Sequence, residues 1–174
     1  MNQTQARQTV ELVAPGFLIG MIAGAIGGGV AAMGGLDAGY VIGTTLGLGL
    51  PLAAFGVGYS MLLASGRIRL GGVAPAALYW LFAFPVARVI HEVLVDVLSG
   101  RAVALPDGAV KFLAYQALVS VGFAIGFIWM HEYVFGRWWI RIRDHNPVAD
   151  RYVQQYTRQA AKTQGKPKQQ PTGT

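Results

Sequence analysis

Arg88, His91, Glu92 and Asp96 are the residues whose types and spacing could carry chemistry. Arg88, Glu92 and Asp96 follow one another at intervals of four, and His91 lies three after Arg88. At 100° per residue all four share an arc of about 140° on one helix. A guanidinium, an imidazole and two carboxylates on one face could relay a proton through Glu92 and His91. They could equally hold the polar head of a quinone or a lipid. Gln116 is expected to join them from the next apolar segment. The competing reading is structural. The uncharged run from Leu70 to Ala87 is 18 residues long, nearly enough to span a bilayer. Arg88 could then snorkel to the surface, with the other charges forming a salt-bridged helix end.

A second pair, His131-Glu132, has no nucleophile beside it. The following Tyr133-Val134-Phe135 lacks a second metal-binding histidine, so Glu132 is expected to form an interfacial ion pair near Arg67 and Arg69. His91 and His131 are expected at opposite faces, which excludes a haem shared between them. The run Gly24-Ala25-Ile26-Gly27-Gly28-Gly29 lies inside an apolar segment with no preceding strand, so it is not a phosphate loop. With no cysteine in the chain, thiolate metal sites and cysteine nucleophiles are excluded, and no metal site is expected. No cofactor is required; a quinone or lipid is the alternative occupant of the outer cluster.

The elements that must position these groups are membrane spans. Only 13% of the 174 residues are charged and 53% are hydrophobic, against roughly 25% charged for a soluble domain. The expected fold is all-α: four transmembrane helices in an antiparallel bundle, at about 12–36, 39–64, 72–98 and 109–133. A polar lead, 1–11, precedes the membrane domain, 12–135. A basic juxtamembrane and amphipathic segment, 136–162, and a disordered tail, 163–174, follow it. The first apolar run is too long for a signal peptide and reads as a retained helix.

Gly16, Gly20, Gly24 and Gly28 recur every four residues in the first span, and Gly39, Gly43 and Gly47 do so in the second. Rows of this kind let membrane helices approach closely, and the two rows are expected to meet. Pro51 and Pro85 fall within spans, where kinks are expected. Asn146-Pro147 reads as an N-cap followed by a first-turn proline. Val148, Tyr152 and Tyr156 then mark an amphipathic helix.

Charge orients the bundle. From Arg137 onward there are eight basic residues against two acidic ones, which accounts for the whole net charge of +6. Arg67 and Arg69 make the middle loop basic. Trp138 and Trp139 beside Arg137 read as a membrane border. Both termini are therefore expected in the cytoplasm, in a multi-pass protein of the plasma or inner membrane. The basic segment would favour anionic lipid, and nucleic acid is not an expected partner. The function expected from these features is that of a non-enzymatic accessory subunit in a larger membrane complex, or one that associates with itself. The alternatives are a small transporter or proton conductor using Arg88, His91, Glu92 and Gln116, and a quinone- or lipid-handling enzyme. A C-terminal fusion to a reporter active only inside the cell is expected to be active. Activity of an outside-only reporter at that position would overturn the topology.

Overall fold

A computed structural model describes residues 2–68, 72–134 and 136–164. Arg69 and the tail from 165 onward lie outside the described residues. The described chain is helical throughout, with no strand: α1 (Gln3–Met33), α2 (Ala38–Ala64), α3 (Val73–Leu98), α4 (Ala109–Trp129), a π-helical segment (Met130–Val134), α5 (Gly136–Ile142) and α6 (Pro147–Gln164).

Among the described residues, three stretches are long and apolar enough to cross a membrane: Gln3–Met33, Ala38–Ala64 and Ala109–Ile142. Among the described residues, α3 is not one of these stretches. α3 has 26 residues but carries Arg88, Glu92 and Asp96 in its C-terminal half.

Helix α1 begins nine residues before the apolar run because Asn2 and Gln5 form a capping box. The Asn2 side chain accepts from the Thr4 amide at 3.1 Å, and the Gln5 side chain accepts from the Asn2 amide at 3.3 Å. The polar residues expected as a lead are thus helical. At the other end Gly35 takes a left-handed φ of 75°, and Asp37 caps α2 by accepting from the Tyr40 amide at 3.0 Å.

The tightest packing joins α1 to α2. A Cβ at Gly16 would run into the Gly56 carbonyl, one at Gly20 into the Ala53 backbone, and one at Gly24 into Gly49. Rising numbers on α1 meet falling numbers on α2, so the two helices run opposite ways. The partner of the α1 row is therefore not the expected Gly39, Gly43 and Gly47. These lie on another side of α2: Gly47 faces His91 and Leu94 of α3, Gly43 opens onto empty space, and Gly39 lies near the side chain of its own cap, Asp37. Glycines four apart mark a face, but they do not say which neighbour fills it.

The remaining core is aromatic. Tyr79 of α3 donates to the Phe55 carbonyl of α2 at 2.6 Å. Trp80, fully buried, sits with its ring 4.6 Å from those of both Phe123 and Phe127 on α4, and Phe84 packs 5.0 Å from Phe123. Pro51 and Pro85 lie within helices that continue unbroken through them. In lipid the freed backbone groups have no water to compete for, so the helix survives the missing N–H.

Gly20→Val and Gly56→Ala place side-chain atoms where backbone already stands. Each is expected to lower stability in detergent by about 3 kcal/mol, whereas Gly43→Ala is expected to leave it unchanged. Thermal unfolding of the three variants checks the contrast.

Candidate functional site

Polar side chains gather at two levels of the bundle. The level at the C-terminal half of α3 contains Arg88, His91, Glu92 and Gln116 of the residues singled out by sequence. Helical spacing on α3 brings Arg88 against Glu92 in an ion pair and sets Arg88 Nη1 2.8 Å from His91 Nδ1. A guanidinium only donates, so Nδ1 accepts and the ring proton sits on Nε2. His91 is only 3% exposed, and its Nε2 has no partner among the described residues. The Arg88 guanidinium lies 6.0 Å from the centre of the Phe112 ring on α4. Gln116, one turn further along α4, is also buried. Arg88 is therefore turned toward the bundle rather than spread on its surface.

Asp96 does not join this group. It accepts from Arg101 Nε at 3.0 Å and from the Ala104 amide at 3.1 Å, and so fixes the loop that leaves α3. Its role is to close a turn. A cleft of about 390 Å³ opens beside it, lined by Asp37, Tyr40, Gly43, Val95, Ser99 and Arg101.

The other level is built around His131. The π-helical segment inserts an extra residue per turn and re-aims this histidine into the bundle. Its ring is 1% exposed. Nε2 lies 3.1 Å from Ser60 Oγ on α2, Phe127 stacks on one face, and Tyr59 and Trp139 pack edge-on. Trp139, expected at a lipid border, is instead buried between His131 and Tyr152, with its ring 5.0 Å from that of Tyr152. His131 Nδ1, Trp139 Nε1 and the Tyr152 hydroxyl are all buried without a hydrogen-bond partner among the described residues.

Helix α6 covers this cluster. Val148, Tyr152 and Tyr156 do form one apolar face, but that face rests on α5 and the π segment, not on open solvent. Burial pushes the phenol pKa values of Tyr152 and Tyr156 well above the usual range, with the Glu132 carboxylate adding to the effect at Tyr156. The Glu132 side chain thus faces α6. It also lines a lateral groove of about 390 Å³ with Trp129, Tyr133 and Tyr156. Of its expected basic neighbours, Arg67 is exposed and Arg69 lies outside the described residues.

The polar start of α1 holds the junction between α5 and α6. Trp138 Nε1 donates to the Glu11 carbonyl at 2.9 Å, and Asn146 Nδ2 donates to the Gln8 carbonyl at 2.9 Å. Gln8 Nε2 returns a bond to the His145 carbonyl at 2.6 Å, and His145 Nε2 lies 3.0 Å from Glu11. Asn146 also caps α6, accepting from the amides of Val148 and Ala149. Sequence reading identified this cap but gave no sign of its attachment to residues 8–11.

Between the two polar levels lie Trp80, Phe84, Phe123 and Phe127. Among the described residues, no group of three or more His, Cys, Asp or Glu side chains is placed to hold a metal ion. Comparison with protein-family models, with curated proteins and with solved structures finds no match.

Asn146→Ala removes both the α6 cap and the bond to Gln8. It is expected to cost about 1–2 kcal/mol. Hydrogen exchange should quicken in 147–158 and at the start of α1, while α2 stays protected. Equal exchange in both proteins would show that the junction does not depend on Asn146.

Proposed function

We propose that this chain is a non-enzymatic, four-span membrane protein that acts as an association partner for other transmembrane helices, with both ends in the cytoplasm. The observation that carries the reading is on α4. Gly122 and Gly126 stand four apart, and a Cβ at either would meet nothing within 4 Å. Tyr115, Leu118, Ile125 and Trp129 are exposed on the same helix. By contrast, the α1 row at Gly16, Gly20, Gly24 and Gly28 is already occupied by α2. An open small-residue face flanked by large apolar side chains is what a membrane helix offers to another helix.

α3 serves as the fourth span in this reading. Its N-terminal half is apolar, and Arg88 and Glu92 neutralise one another where it nears the outer surface. The exposed Arg67, Arg137, Arg141 and Arg143 support a cytoplasmic assignment for their end, in a plasma or inner membrane. The aromatic layer at Trp80, Phe84, Phe123 and Phe127 weighs against proton conduction, since it fills the level between His91 and His131.

Gentle detergent extraction followed by native mass measurement tests the proposal. The native chain is expected to run with a stoichiometric membrane partner or a second copy. Replacing Gly122 and Gly126 together by leucine should weaken that association at least tenfold without lowering the unfolding temperature. A native chain that runs alone as a monomer, or a variant that associates equally well, would contradict it.

A further inference from the structure

We propose that α6 exchanges between two seats: the cytoplasmic end of the bundle, and the surface of an anionic lipid leaflet. The docked seat is imperfect in a specific way. When α6 lies on the bundle, its Tyr152 hydroxyl, Trp139 Nε1 of α5 and His131 Nδ1 of the π segment are buried together with no partner among the described residues. Each buried polar atom without a partner costs the docked state hydration that it recovers on opening. The Tyr156 hydroxyl, on the side of Glu132, is likewise buried without a hydrogen-bond partner among the described residues.

The helix also fits the other seat. Val148, Tyr152 and Tyr156 recur every four residues on its apolar side, and Arg151 and Arg158 flank that side and are exposed. Over 147–164 there are three basic residues and one acidic one. At a lipid–water border tyrosine rings stay in the apolar layer while their hydroxyls meet water, so the partner missing from the docked seat is supplied there. Each basic residue near an anionic leaflet adds about five-fold to affinity.

The hinge is defined as well. Asn146 caps α6 from a position tied to Gln8, and His145 is tied to Glu11, so α5 and residues 145–146 stay in place while α6 swings about its capped end. The partner surface is a bilayer bearing anionic phosphate headgroups. The recognition is of surface charge rather than of one lipid molecule.

The native chain contains no cysteine, so a spin-label pair can be introduced without background. Ser65→Cys and Ala161→Cys, both at exposed positions, place one nitroxide at the end of α2 and one on α6. The full chain is reconstituted in nanodiscs of phosphatidylcholine alone, or of phosphatidylcholine with one-third phosphatidylglycerol. A single short distance is expected in the neutral discs, with a second, longer one appearing in the anionic discs. Arg151→Gln with Arg158→Gln should remove the long distance. Tyr152→Phe, which deletes an unpartnered hydroxyl, should reduce its population about five-fold or more relative to the docked form. Identical distributions in the two bilayers would overturn the proposal, as would a long distance insensitive to the arginines. A Tyr152→Phe variant that opens more readily would show that the hydroxyl is satisfied when docked, and would overturn it too.

Discussion

The backbone contact between α1 and α2 is the constraint on which the rest of the structure depends. Lipid tails supply no hydrophobic force to drive apolar helices together, so association must come from close packing. Gly16, Gly20, Gly24, Gly49 and Gly56 permit that packing along most of two helices. The same contact fixes the rotation of α2. With Thr45, Gly49 and Ala53 turned to α1, Gly47 and Phe55 are left facing α3, and Ser60 is brought to His131.

The two ends of the bundle then differ in kind. At the end where α3 finishes, polar groups neutralise each other locally: Arg88 with Glu92, and Asp96 with Arg101. At the end that holds His131, elements distant in sequence are knitted together. Residues 8–11 hold 138–146, and α6 closes over a histidine that α4 delivers through its π-helical segment. The open face on α4, the filled aromatic middle and the covered cluster at His131 are the features on which the proposed association role rests.

Much of this was legible in the sequence, and what was not has physical reasons. Uncharged runs revealed the long helices because the bilayer sets their length. Spacings of three and four placed Arg88, His91 and Glu92 together because helical periodicity alone decides that contact. Asn146-Pro147 announced α6 through its capping chemistry. Asp96 misled because a carboxylate at a helix end is drawn to the amides of the departing loop, which helical spacing does not describe. Gly43 and Gly47 misled because periodicity defines a face without naming its neighbour. Trp139 read as a border residue because aromatics beside arginines usually are; only the fold of α6 over it makes it a core residue. The π-helical segment leaves no mark in composition, so the burial of His131 could not be anticipated. The helical start of α1 could have been, since Asn2 and Gln5 have the spacing of a capping box.

The close α1–α2 seam is tested most directly by magic-angle-spinning NMR on the ¹³C-labelled chain in lipid bilayers. A strong direct contact between the Cα of Gly16 and the Gly56 backbone is predicted, together with one between Gly24 and Gly49. Absence of both, in a sample where Trp80 still contacts Phe127, would show that α1 and α2 are not joined through these glycines. The rotation of α2 argued from them would then be wrong.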